Sequence, residues 1–194
     1  MKSSEYYLVI DLEATCDDTG AIPREQTEII EIGAVLVDAE TLAPRDEWQT
    51  FIRPRLHPRL MPFCTRLTSI TQEQVDGAPS FPQGIAELGR FLAGRDALFC
   101  SWGDYDRNQL NREATRDGLT LPLGAEHLNV KQAFRDRTGQ DRKLGVGAAL
   151  RRVGLVFQGT AHRGIDDARN IARLLPYALG RMPIPSGNGQ HQAN

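Results

Sequence analysis

The sequence predicts an α/β fold, a mixed five-stranded sheet flanked by helices. Three observations predict it. Three strand-like runs follow one another before the proline-rich stretch that starts at Pro54. Segments of helical and strand period then alternate. The clearest amphipathic helix of the chain comes last.

Tyr6–Asp11 is a short apolar, β-branched run and reads as a central strand. Leu12, Glu13 and Ala14 follow it, and then a polar loop with Asp17, Asp18, Gly20 and Pro23. Ile29–Asp38 is the second strand. Glu47–Arg53, with Trp48, Thr50 and Ile52 on one face, is the third. Short connections make these three an antiparallel meander. Pro54, Pro58 and Pro62 lie among Leu56, Leu60, Met61 and Phe63, so this stretch reads as an ordered loop. Thr71 with Gln74 three residues on forms a capping box for a short helix. Ile85, Leu88, Phe91 and Leu92 share one face of a helix over Pro82–Leu92 that stops at Gly94. A fourth strand spans Ala97–Trp102, and a helix runs from about Asp106 to Gly118. A short fifth strand falls at His127–Val130, and Leu144–Val153 has helical character. The fourth and fifth strands, separated by helices, join the sheet in parallel. In Asp166–Leu179 the residues Ala168, Ile171, Ala172, Leu175 and Leu179 recur at helical spacing. One domain over residues 5–180 is expected, followed at 181–194 by a tail with the composition of a disordered segment.

The 194 residues carry a net charge of −2. No global field draws this chain to nucleic acid, so any phosphate binding has to be local. Of the 23 basic residues only Lys2, Lys131 and Lys143 are lysines. Arginine's planar fork suits phosphate oxygens, although a genome-wide codon bias explains the same preference more simply. Cys16, Cys64 and Cys100 are isolated and odd in number, which argues against a zinc site or a disulfide framework and fits a cytoplasmic location. No signal peptide and no membrane span are expected.

The chemistry lies in three short stretches. Asp11 and Glu13 sit two residues apart at a strand end, so the period of two aims both carboxylates the same way. Two such charges at the edge of a core favour a hard cation, Mg²⁺ or Mn²⁺. Alone, the pair is a frequent pattern that two solvated acids also explain. Asp104 and Asp106 follow the fourth strand, where Gly103 lets the chain turn. Either could be a metal ligand or a helix cap. His162 and Asp167 flank Gly164 at the start of the last helix, where the helix dipole alone would favour an acid. Together, four acids and a histidine are what two-metal hydrolysis of a phosphodiester requires, with the histidine as base for the attacking water.

The same stretches resemble a known family. Tyr7–Cys16 (YLVIDLEATC), Cys100–Leu110 (CSWGDYDRNQL) and His162–Ala172 (HRGIDDARNIA) are similar to the three motifs of the DEDDh 3′→5′ exonucleases, which have the RNase H-like fold. With Glu28–Val37 and Phe63–Val75, they further resemble the subgroup of histone-mRNA 3′-exonucleases and RNA-interference-regulating exonucleases. The likeness covers Tyr6–Leu179. It implies that Asp11, Glu13, Asp106 and Asp167 hold two divalent cations and that His162 is the general base. Asp104 is the alternative third ligand, and Asp166 is dispensable. The likeness also implies that Ala14 and Thr15 approach the terminal nucleotide through their backbone, and that Ile70, Trp102 and Tyr105 pack near its base or sugar. For Trp102, ordinary core packing is the simpler reading. Arg53, Arg55, Arg59 and Arg66, and Arg135, Arg137, Arg142 and Lys143, are candidates for tracking a nucleic-acid backbone. The implied activity releases nucleoside 5′-monophosphates from single-stranded 3′ ends, with RNA favoured. Few residues precede the first strand, so the extra nucleic-acid-binding module of the subgroup's animal members, and the stem-loop specificity that goes with it, are not expected. The rivals are a DNA exonuclease of the proofreading or repair type and an inactive nucleic-acid-binding module.

Overall fold

The computed structural model describes residues 4–139 and 144–185. Its sheet contains β1 (Tyr6–Ala14), β2 (Ile29–Asp38), β3 (Pro44–Phe51), β4 (Ala97–Ser101) and β5 (His127–Asn129), in the order β3-β2-β1-β4-β5. β1 runs antiparallel to β2, and β2 antiparallel to β3; β4 lies parallel to β1, and β5 parallel to β4. The expected mixed sheet is the one observed, with β1 at its centre.

Helices cover both faces: α1 (Pro62–Thr68), α2 (Gln72–Asp76), α3 (Phe81–Leu92), α4 (Tyr105–Asp117), α5 (Val130–Thr138), α6 (Val146–Arg152) and α7 (Gly164–Ala178). Strand alternation sorts the core. Leu8, Ile10 and Leu12 pack with Ile85 and Leu88 of α3 and Leu110 of α4. Val9, Val35 and Val37 pack on the other face with Phe134 of α5, Leu150 of α6 and Ile171 and Leu175 of α7. Asp11 and Glu13 share the parity of Val9, so they continue the α7 side beyond the end of the apolar run.

Several boundaries differ from the sequence reading. β1 continues past Asp11 through Glu13 to Ala14, because Leu12 and Ala14 are buried on the opposite face and hold the strand in register. β3 begins earlier and ends at Phe51. Two helices were not foreseen. α1 hides in the proline-rich stretch, where Pro62 starts the helix without losing a bonded N–H and Ser69 closes it at φ 61°. α5 follows β5 directly, with the Asn129 side chain accepting from Gln132 N at 2.9 Å and Gly139 ending it at φ 61°. The loop before α1 is ordered as expected. The buried Glu28 carboxylate accepts the backbone N–H groups of Arg55, Leu56 and His57 at 2.7–2.9 Å. The capping box of Thr71 and Gln74 is present. Arg142, Lys143 and residues 186–194 of the tail lie outside the described residues.

Candidate active site

β1, α4 and α7 meet at one end of the sheet, and each delivers a carboxylate. Ligand oxygens of Asp11, Glu13 and Asp167 lie within 4.8 Å of one another. Asp106, in the first turn of α4, is buried behind them and accepts from Leu12 N at 3.1 Å. This bond ties α4 to β1 between the two strand acids.

The approach of α7 depends on two glycines. A Cβ on Gly33 of β2 would sit 2.2 Å from the Gly164 carbonyl carbon, and a Cβ on Gly164 would sit 2.9 Å from Asp11 O. Without side chains at both positions, the first turn of α7 lies directly on the strands. Asp167 then faces Asp11.

The electrostatics follow from burial and crowding. Asp11 is held well above its ordinary range by burial first, then by Asp106, Asp167, Glu13 and Glu31. Burial, followed by Asp167 and Glu31, pushes Glu13 up to about 8. Asp106 rises to about 6, chiefly by burial, with the Leu12 N–H bond acting against it. Asp167 is also raised by burial, opposed by the His162 N–H. Among the described residues none of the four forms an ion pair. Hard oxygen donors, convergent and without an Arg or Lys partner among the described residues, are a set that fits divalent cations of the Mg²⁺ or Mn²⁺ kind.

His162 lies on the exposed loop before α7. Its N–H donates to Asp167 Oδ2 at 2.8 Å, and its φ is 61°, in the left-handed region that non-glycine residues seldom occupy. Asp166 turns away from the cluster, accepting from Thr160 N at 2.9 Å and from Arg169 Nη1 at 2.9 Å. Asp104 also turns outward. Its side chain is 52% exposed and pairs with Arg107 at 3.1 Å, whereas Asp106 is 4% exposed and adds its charge to that of Asp11.

The remaining expected contact residues are scattered around this centre. Tyr105 is 42% exposed and lines, with Trp102, Gly103 and Lys131, a cavity of about 220 Å³. Trp102 also packs on Phe134 at 5.9 Å, and its indole N–H donates to Leu144 O at 3.0 Å, so its ring is largely a core element. Ile70 is fully buried with Ile30, Cys64 and Val75 and has no solvent face. Ala14 is buried. Thr15 is buried as well; its N–H donates to Glu28 O at 2.8 Å, which engages that backbone group within the protein, and its hydroxyl accepts from Glu28 N at 2.9 Å. Among the basic candidates, Arg55 pairs with Asp117 and Arg135 with Asp136.

Sequence reasoning missed Glu31. It stands opposite Glu13 in the β1–β2 register, is fully buried, and accepts from Gln49, Arg163 and Gly164. The available signal was a lone acid within the apolar run Ile29–Val37.

A central mixed sheet with acids converging from β1, α4 and α7 defines the class of RNase H-like nucleases. The structure superposes on the nuclease domain of 3'hExo, a DEDDh family member bound to rAMP, with a TM-score of 0.85 and 28% identity over 95% of this chain and 98% of that one. A sequence model of the family described as Exonuclease (RNase_T) matches residues 8–175. The chain belongs to this exonuclease family. Human ERI1 exoribonuclease 3 is 32% identical over 180 residues, 88% of this chain and 52% of the relative. The Drosophila melanogaster 3'-5' exonuclease Snipper is 32% identical over 196 residues, 90% of this chain and 69% of the relative. The chain spans about half the length of the first of these curated relatives. The resemblance carried by the sequence motifs is thus borne out at the level of family and fold.

Proposed function

We propose that this chain is a metal-dependent 3′→5′ exonuclease that releases nucleoside 5′-monophosphates from single-stranded 3′ ends, with RNA as its substrate of choice. The observation that carries the proposal is the convergence of Asp11, Glu13 and Asp167 within 4.8 Å, with Asp106 behind them. In this reading the four acids hold two divalent cations, Mg²⁺ or Mn²⁺. Such ions, when bound, supply a nucleophilic hydroxide and stabilise charge on the phosphoryl and leaving oxygens.

The chain's own groups do the rest. His162, exposed on its left-handed turn beside Asp167, accepts the proton of the attacking water. Tyr105, half-exposed beside Asp106, offers an aromatic face to the terminal nucleotide, a contact that tolerates any base. Ala14 remains a candidate for backbone contact, and Trp102 contributes as the wall on which Tyr105's cavity is built. Preference for RNA is supported by the exoribonuclease relatives and by the rAMP-bound neighbour. The three free cysteines suit a reducing, cytoplasmic setting. Among the described residues no helix is long and apolar enough to cross a membrane. Residues 5–180 act as one catalytic domain.

The test offers matched single-stranded RNA and DNA, labelled at the 5′ end, with Mg²⁺, with Mn²⁺ and with EDTA. The expected result is stepwise shortening from the 3′ end, faster on RNA and absent in EDTA. Faster shortening of DNA would replace the substrate, and no shortening of either would leave a binding module.

A further inference from the structure

Glu31 is an unusual residue for the middle of a buried strand. It is 0% exposed, and it lies across from Glu13 in a region already crowded with negative charge. A buried carboxylate here is costly unless its oxygens are fully engaged. They are. Oε1 accepts from Gln49 Nε2 and from Arg163 Nη2 at 3.4 Å, and Oε2 accepts from Arg163 Nε at 3.1 Å and from Gly164 N at 3.1 Å. The Arg163 guanidinium carbon also lies over the Phe51 ring, 5.3 Å from the centroid. A metal would have to displace these four donors to use Glu31, so Glu31 is no fifth ligand.

The donors point to another role. Gly164 N is one of the unpaired N–H groups that open α7, and a residue 133 positions away in the chain satisfies it. Arg163 and Gly164 are the link between His162 and Asp167. The Arg163 carbonyl accepts Asp167 N at 2.9 Å, and Asp167 in turn accepts His162 N. We infer that Glu31 is a positioning residue: by gripping Arg163 and Gly164 it fixes, from β2, where α7 presents Asp167 and where the preceding turn presents His162. This rests on the exonuclease reading of the site.

The discriminating variant is Glu31→Gln. The new amide keeps the volume but places an NH₂ donor against donors and removes the charge facing Arg163. The full chain is compared with its parent by far-UV circular dichroism, by Mn²⁺ titration followed by electron paramagnetic resonance, and by nucleotide release at saturating Mn²⁺. The variant is expected to fold and to bind Mn²⁺ at least roughly tenfold more weakly. Its kcat is expected to fall by roughly 10- to 100-fold with little change in KM, the range usual for partners that orient metal ligands. A folded variant with unchanged Mn²⁺ affinity and kcat overturns the inference. Should Glu31→Gln fail to fold, Arg163→Lys is read by the same three measurements. It keeps the charge but cannot grip both oxygens, and parental values there overturn the inference equally. A parent chain that releases no nucleotide with metal signals failure of the exonuclease reading instead.

Discussion

Crowding makes Asp11, Glu13 and Asp106 harder to ionise, with Asp167 acting on all three, and among the described residues no Arg or Lys pairs with any of the four acids. That arrangement fits a site completed by divalent metal. Asp167→Asn retains an oxygen able to accept the His162 N–H, so the fold should persist while a charged ligand is lost. Turnover is expected to disappear, with circular dichroism unchanged. His162→Ala removes the proposed base and leaves the four acids in place. A rate loss of roughly 10²- to 10⁴-fold is expected, with Mn²⁺ binding retained, measured by single-turnover release and by titration. The two aspartates at the start of α4 should separate cleanly. Asp104, turned to solvent and paired with Arg107, tolerates replacement by Asn with near-parental turnover, whereas Asp106→Asn loses activity. The reverse result would move the third ligand to Asp104.

At the scale of elements, the site is a product of how closely α7 can lie on β1 and β2. Gly33→Ala places a methyl 2.2 Å from the Gly164 carbonyl carbon, and neither strand nor helix can rotate a side chain away to make room. Overpacking of this kind typically costs about 1–3 kcal/mol. A lower Tm is expected, together with weaker Mn²⁺ binding as Asp167 is pushed from Asp11. Gly77→Ala, whose nearest atom would be Glu73 O at 3.6 Å, is the near-neutral control. The elements that frame this contact were legible in the sequence because two are mainly apolar runs buried on both faces, Tyr6–Asp11 and Ile29–Asp38, and the third repeats at helical spacing through Ala168, Ile171 and Leu175. α5 was not legible. Only Val130 and Phe134 are fully inserted in the core, and Lys131, Gln132, Arg135, Asp136 and Arg137 dominate its composition. α1 was masked by prolines that turn out to precede or start a helix. The acids themselves could be picked out in sequence, but the choice between Asp104 and Asp106 depends on which way α4 turns, and that is set by the Leu12 N–H bond across 94 residues. Glu31 was missed for a related reason. A lone acid in a strand has meaning only once Arg163 and Gly164 are seen against it.

For the whole molecule, the crowded acids make stability depend on pH and metal together. In the metal-free chain Glu13 titrates near 8 and Asp106 near 6, whereas in the unfolded chain both ionise at ordinary carboxylate values of 4.5 and 3.8. Between about pH 4 and pH 8 the folded state therefore holds more protons than the unfolded state, so these groups destabilise the fold increasingly as pH rises. Below about pH 4 both states are protonated and the penalty vanishes. His127 acts in the opposite sense, since burial lowers its pKa below 6.5 and its contribution to stability grows as pH rises through that value. Comparing EDTA with Mn²⁺ at each pH cancels the part due to His127, which is not among the proposed metal ligands. The gain in Tm on adding Mn²⁺ should then be small at pH 5, where protons compete for the carboxylates. It should grow to roughly 5–10 °C at pH 8 for metal at about a hundred times its Kd. Differential scanning calorimetry across this range checks the expectation. A metal-induced gain that stays constant from pH 5 to pH 8 would mean that the four acids do not titrate as one cluster, and the sheet-end site could not be where the metal binds.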